Sequence, residues 1–186
     1  MSSFDSHSAA LRYTKGAAWL HWLIGLAVIG NIAIAELTED LAKPERYKWM
    51  GLHMTIGIVI MLLTFARIFW RLRNRPPAMP VSIPGWQQTL GKAAHFIFYV
   101  LLLALPLSGW IWMSARAEPV VINMFGMFGW PVLPIGDNKS ISDAMHEAHE
   151  VMGKAMLILV ILHFVAALKH QFVDKARILG RMNPLG

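Results

Sequence analysis

Cysteine is absent from this chain of 186 residues. Its absence excludes disulfide bonds, thiolate metal sites and cysteine-bound iron–sulfur clusters. It also excludes covalent haem attachment through a C-x-x-C-H motif. Redox chemistry in this protein therefore has to use other ligands.

Charged residues are scarce as well. They make up 15% of the chain, against 56% hydrophobic residues, whereas an ordinary soluble domain has about a quarter charged residues. The net charge is +6, but the basic residues lie in the tails and in the loops between apolar runs. This placement is typical of membrane topology, so we expect a small membrane protein in contact with lipid and no nucleic-acid partner.

Apolar segments account for most of the length. Residues 1–16 contain no short apolar run ending at a small-residue cleavage site, so we predict no removable signal peptide. Four segments are long enough to cross a membrane, at about 17–35, 51–70, 93–113 and 149–168. A proline-rich stretch separates the second from the third, and Pro106 predicts a kink in the third. The fold class we predict is an all-α integral membrane four-helix bundle, with residues 1–186 forming a single domain.

The basic residues predict the orientation. The 71–92 connection carries four basic residues and no acidic one, and four more basic residues follow position 168. The other two connections are mixed in charge. Short loops rich in lysine and arginine stay in the cytoplasm, so both termini are expected there, in a multi-pass protein of the bacterial inner membrane.

His149 and His163 lie on the fourth segment, fourteen residues apart. On a helix this spacing places both imidazoles within about 40° of one face and about 21 Å apart along the axis. Since the hydrocarbon core is about 30 Å thick, one helix offers nitrogen ligands at two depths of the membrane.

Two histidines on other segments match these depths. With the expected topology, His21 lies near the inner surface beside His163, and His53 lies near the outer surface beside His149. A six-coordinate haem iron in a helical bundle needs one neutral imidazole on each side of the porphyrin. We therefore predict two non-covalent haem b groups, with His21 and His163 binding the inner iron and His53 and His149 the outer iron.

Arg67 follows His53 by fourteen residues and so lies on the same face at the inner depth. It is a candidate to bind haem propionates, because a guanidinium binds carboxylates in a bidentate manner. The alternative is an arginine that extends to the inner membrane surface.

Three further histidines have open roles. His95 at the inner depth is a spare ligand, a quinone contact or a packed core residue. His146 lies one turn before His149 and could replace it as a ligand. His170 is placed to relay protons to a quinone above the inner haem, or else lies in a solvated tail. For the histidines as a set, the competing interpretation is a path for protons or metal ions, which gives no reason for the fourteen-residue spacing.

The long connection after the third segment contains two Phe-Gly pairs, at Phe125 and Phe128, followed by Pro131 and Pro134. This pattern suggests a folded lid over the outer haem. The alternative is a loop that lies on lipid headgroups, for which Trp130 is suited.

Over nearly its whole length the chain resembles the bacterial cytochrome b561 family of four-helix, dihaem, quinone-linked cytochromes, which includes superoxide oxidase. The resemblance rests on the following motifs: Ala18-Trp19-Leu20-His21-Trp22, His53-Met54-Thr55-Ile56-Gly57 with Arg67, Ala94 to Tyr99, His149-Glu150 with His163, Ala166 to His170, and Asp174-Lys175 to Arg181-Met182. It implies haem ligation by His21, His53, His149 and His163, and a quinone contact near His170.

Two function classes follow from the resemblance. In the first, an external one-electron donor such as superoxide delivers electrons that cross to ubiquinone, and the protein is an oxidoreductase. In the second, the protein is a relay or anchor subunit for a periplasmic redox protein and has no small substrate. Relatives that use superoxide look to have a lysine after the proline cluster, where this chain has Ser82.

Overall fold

The computed structural model describes residues 12–79, 83–176 and 178–185, so Ser82 lies outside the described residues. Four long helices dominate it: α1 (Lys15–Leu37), α2 (Lys43–Arg73), α3 (Gly85–Ser114) and α4 (Lys139–Leu168). Each has an apolar stretch long enough to cross a membrane. The expected all-α membrane architecture is thereby confirmed.

The helices extend beyond the apolar runs. α2 begins at Lys43 with Pro44 in its first turn, where the missing N–H costs nothing. α4 begins at Lys139, and the Asn138 side chain caps it by accepting from the Ile141 amide at 3.1 Å. The connections after the first and third apolar segments are therefore shorter than those segments predict, because hydropathy marks the part of a helix that crosses lipid and not its ends.

Prolines mark the turn between α2 and α3, as expected. α2 ends at Arg73 shortly before Pro76 and Pro77, and α3 begins directly after Pro84. Pro106 lies inside α3, and the helix continues through it. After α4 the chain passes through a π-helical turn, Lys169–Val173, into the short helix α5, Ile178–Arg181.

Close backbone packing runs from α1 to α2, from α2 to α3 and from α3 to α4. One buried cluster at mid-height joins all four helices, and its members are Ile24, Val28, Ile60, Leu101, Leu102 and Met156. Most other apolar side chains face outward: only 6% of the apolar stretch of α4 is buried within the protein. Such a surface requires lipid around it.

A short antiparallel hairpin interrupts the helical pattern, with β1 (Ile122–Met124) paired to β2 (Phe128–Trp130). Its turn is close to type I′, with Phe125 at φ 54° and Gly126 at φ 78°. Ile122 and Met124 pack against α2, and Thr55 Oγ1 donates to the Asn123 carbonyl at 2.8 Å. The expected folded loop is thus a hairpin fixed to the end of the bundle opposite the two termini.

Candidate functional site

Two pairs of imidazoles face each other inside the bundle. The ring centroids of His21 and His163 lie 6.1 Å apart, and those of His53 and His149 also lie 6.1 Å apart. The structure therefore brings together both pairs that the fourteen-residue spacing pointed to, and each pair takes one member from α4.

This separation fits a haem iron. A metal–imidazole nitrogen bond is about 2 Å, and the ring centre lies about 1 Å further, so two rings on opposite sides of one iron have centroids about 6 Å apart. The helices that share a pair, α1 with α4 and α2 with α4, are not among the closely packed pairs of the described chain. A macrocycle held between them would therefore not have to separate closely packed backbones.

The outer pair is held in one tautomer by backbone carbonyls. His53 Nδ1 lies 3.1 Å from the Asn31 carbonyl, and His149 Nδ1 lies 3.0 Å from the Leu105 carbonyl. A carbonyl only accepts hydrogen bonds, so each Nδ1 carries the proton and each Nε2 keeps its lone pair. Metal-binding histidines are usually oriented in this way, by a hydrogen bond from the ring nitrogen that does not bind the metal.

α3 provides the surface on which His149 rests. Ser108 Oγ lies 3.1 Å from His149 Nδ1 and donates to the Leu105 carbonyl at 2.8 Å. A Cβ atom added at Gly109 would come within 3.3 Å of His149 Cε1, so glycine allows the imidazole to approach the helix. Leu105, Ser108 and Gly109 could not be identified from the sequence, because nothing in the pattern shows which face of α3 meets α4.

An apolar layer separates the two pairs. Met156 lies seven residues from both His149 and His163, and Ile60 lies seven residues from both His53 and Arg67. Both side chains belong to the buried cluster at mid-height and are at most 4% exposed. Two turns of helix thus lie on each side of the layer, and it keeps the two sites distinct.

The inner end holds three histidines. The His95 ring centroid lies 5.8 Å from that of His163, close to the His21 distance, and Phe98 packs edge-on against His163 at 5.2 Å. The distance to His163 therefore suits either His21 or His95 as its partner. Of these two, His21 lies on α1, which does not pack closely against α4. His95 lies on α3, which packs directly on α4.

Arg67 lies at the inner depth, as its spacing predicted. Its Nε donates to Tyr99 Oη at 3.1 Å, which directs the guanidinium into the bundle and not out along the lipid surface. Tyr99 is a contact that the sequence analysis did not assign.

His146 is occupied elsewhere. Its ring stacks on Trp112 with centroids 4.0 Å apart, and its Nε2 lies 3.5 Å from Glu150 Oε1. The structure places His149, and not His146, opposite His53.

His170 lies in the π-helical turn and is paired. Its Nδ1 is 2.6 Å from Asp174 Oδ2, and the Lys169 ammonium donates to the same carboxylate at 2.7 Å. The Lys169 hydrogen bond, together with that from His170, lowers the pKa of Asp174 below its usual range. The i to i+4 spacing of His170 and Asp174 is a signal that sequence reasoning could have used.

Within the described ranges, no three histidine, aspartate or glutamate side chains are clustered to bind a bare metal ion. The intramembrane imidazoles instead face each other in pairs, with ring centroids 6.1 Å apart. Paired imidazoles of this kind suit an iron that already has four equatorial ligands.

Comparison with known proteins gives consistent matches. The family model described as prokaryotic cytochrome b561 matches residues 12–184. "Cytochrome b561 homolog 2" of Escherichia coli K12 is 31% identical over 92% of this chain and 90% of its own. "Probable superoxide oxidase CybB" of Yersinia pestis is 31% identical over 89% and 92%, and "Cytochrome b562" of Cereibacter sphaeroides is 27% identical over 91% and 94%.

Proposed function

Because the chain belongs to the prokaryotic cytochrome b561 family and is a multi-pass membrane b-type cytochrome of electron transfer, we propose that it passes electrons across the bacterial inner membrane to quinone. The external donor is a one-electron reductant, for which we name superoxide. The observation that carries the proposal is the presence of two imidazole pairs, each 6.1 Å apart, at two depths.

The proposed ligands are His53 and His149 for an outer haem b, and His21 and His163 for an inner one. When bound, the two haems supply one-electron carriers at two levels of the bilayer. The chain's own imidazoles would hold the irons, the backbone carbonyls keep the Nε2 lone pairs of the outer pair available, and the buried layer around Met156 excludes water between the levels.

The residues around Arg67 support a site for haem propionates at the inner level. Its guanidinium is always charged and keeps four N–H groups for a carboxylate after Nε has donated to Tyr99. We assign to Arg67 the role of orienting the inner haem.

A quinone site at the cytoplasmic end is supported by the His170 and Asp174 pair. Ubiquinone needs two electrons and two protons to become ubiquinol, and two superoxide anions supply the electrons as they become O₂. Asp174 holds His170 by its Nδ1, which leaves Nε2 for a quinone oxygen. Proton transfer by a positioned histidine contributes about 10² to 10⁴ in rate.

The haem assignment is tested by counting haem in purified variants. Wild-type protein is expected to give two haems per chain by pyridine haemochrome, and His53→Ala and His149→Ala about one each. His146→Ala is the matched control, because its imidazole stacks on Trp112, and it should keep two. Two haems with an unchanged spectrum in His53→Ala would contradict the pairing.

The donor is tested with purified protein, a soluble ubiquinone and an enzymatic superoxide source. We expect haem reduction and one quinol for each two superoxide anions, both abolished by superoxide dismutase. The similarity to the Yersinia pestis protein named probable superoxide oxidase supports this donor.

A second candidate is a relay role without a small substrate. It is favoured by Ser82, which stands where superoxide-using relatives look to have lysine. Superoxide-independent haem reduction by a periplasmic redox protein, with no response to superoxide, would favour this role over the first.

A further inference from the structure

Four arginines line one small cavity at the end of the bundle that carries both chain ends. The cavity measures about 50 Å³ and is bounded by the segment before α1, the end of α2 and the Tyr99 side chain of α3. The arginines are Arg12, Arg67, Arg71 and Arg75.

No carboxylate in the described parts of the chain forms an ion pair with any of the four. Arg67 donates to Tyr99 Oη, and the Arg71 guanidinium lies 5.9 Å from the Tyr99 ring centroid, but a neutral tyrosine adds no negative charge. Guanidinium groups stay protonated, so they repel one another around the cavity. An anion bound there would offset this repulsion.

The cavity lies at the level where α2 leaves the membrane. Trp70 forms part of its wall, and its indole Nε1 donates to Thr14 Oγ1 at 2.9 Å. Tryptophans of this kind mark the interface between lipid and water. Basic pockets between membrane helices on the cytoplasmic side are suited to anionic lipid headgroups.

The four arginines lie at different depths. Arg67 is half-buried and lies furthest into the bundle, near the inner imidazoles, and Arg71 is one turn, about 6 Å, further out along α2. Arg12 and Arg75 lie outside the helices, before α1 and after α2, and like Arg71 they are exposed. The outer two are therefore placed for a ligand that comes from the membrane surface, separately from a haem carboxylate at Arg67.

We propose that this cavity binds the phosphate of an anionic phospholipid, with Arg12 and Arg75 at its rim and Arg71 behind them. Guanidinium and phosphate match in geometry and form two parallel hydrogen bonds. Free phosphate shares this chemistry. We commit to the lipid because the cavity opens where lipid headgroups lie.

The test compares the wild type with Arg12→Gln/Arg75→Gln. The control is Arg73→Gln/Lys175→Gln, because neither residue lines the cavity. It removes the same charge from the same end of the molecule. The proteins are incorporated into nanodiscs of phosphatidylcholine with a minor fraction of phosphatidylglycerol, and retained lipid is counted by native mass spectrometry. Wild type and control should retain phosphatidylglycerol preferentially, and the cavity variant should lose the preference by about 30-fold.

Three results would overturn the proposal. Equal loss in the control variant would mean that general surface charge attracts the lipid. A second such result is that millimolar inorganic phosphate displaces phosphatidylglycerol and binds equally well to the protein in pure phosphatidylcholine. The cavity would then be a site for free anions. Loss of haem in the cavity variant with lipid retained would mean that the rim arginines hold propionates. Because bound lipid is counted without quinone or superoxide, the result does not depend on the proposed electron transfer.

Discussion

Gly109 has no side chain, and this allows the imidazole of His149, a proposed haem ligand, to lie close to α3. The imidazole lies so near α3 that a methyl group at position 109 would come within 3.4 Å of its Nδ1. The same nitrogen makes the 3.0 Å contact with the Leu105 carbonyl. The absence of a side chain at position 109 therefore helps to position the His149 ring.

We expect Gly109→Ala to push the His149 ring away and weaken its Nδ1 hydrogen bond. Loss of outer contacts to a metal ligand typically lowers affinity by about 10-fold to 100-fold, so outer haem occupancy should fall while the inner haem is retained. Redox titration and a haem count measure both.

Gly25→Ala is the matched control, because nothing lies within 4 Å of a Cβ atom there. Alanine also stabilises a helix interior by up to about 1 kcal/mol relative to glycine, so a loss of outer haem in Gly109→Ala would not come from a weaker α3 helix. An unchanged outer haem in Gly109→Ala would remove the argument from close approach.

The inner site poses a choice between two imidazoles at similar distances from His163. We expect His21→Ala and His163→Ala to lose the inner haem, because α1 and α4 are not packed closely together, and His95→Ala to retain it with at most a shifted potential. The measurement is a reduced-minus-oxidised spectrum with a haem count for each variant. Loss of haem in His95→Ala, with two haems kept in His21→Ala, would exchange their roles.

At the scale of elements, the π-helical turn after α4 is fixed by Asp174. The carboxylate joins Lys169 and His170, and these hydrogen bonds lower its pKa. A carboxyl whose pKa is lower in the folded protein stabilises it above the ordinary pKa of about 4, and this contribution is lost as pH falls through the lowered value.

We therefore expect Asp174→Asn to lower the unfolding temperature at pH 7 and to make no difference at a pH well below 4. Thermal unfolding of both proteins from pH 7 to pH 3 measures this. Asp143→Asn is the control, because the Lys139–Asp143 pair is highly exposed and contributes little. A difference between wild type and Asp174→Asn that stays constant with pH would contradict the assignment.

Elements also differ in how far the sequence predicted them. The four crossing segments follow from apolar length alone, and the imidazole pairs follow from a spacing that repeats the helix period. The hairpin at 122–130 does not follow, since its strands are three residues each and its order depends on contacts with Thr55 and Ile58. Contacts such as those of Asn31 and Leu105 use backbone carbonyls, which no residue type reveals.

At the scale of the whole molecule, the first described residues and α1 contact the region of α5. Tyr13 N donates to the Arg181 carbonyl at 3.1 Å, and Trp22 Nε1 donates to the Met182 carbonyl at 2.9 Å. With four crossings, the start of α1 and α5 lie on one face of the membrane and the hairpin lies on the other.

We expect that face to be cytoplasmic, because the basic connection between α2 and α3 is on it. Green fluorescent protein fused after Gly186 should fluoresce, and alkaline phosphatase fused there should be inactive. Alkaline phosphatase inserted in the hairpin turn at Gly126 should be active. The opposite pattern would reverse the orientation and place the quinone site outside.

Both imidazole pairs draw one member from α4, which follows the other three long helices in the sequence. During synthesis α1, α2 and α3 are made before His163 and His149, the residues that face His21 and His53 in the folded bundle. For the haem ligation proposed above, this order of synthesis means that neither site is complete until α4 is in place, and a shortage of haem would leave an inserted chain without either group.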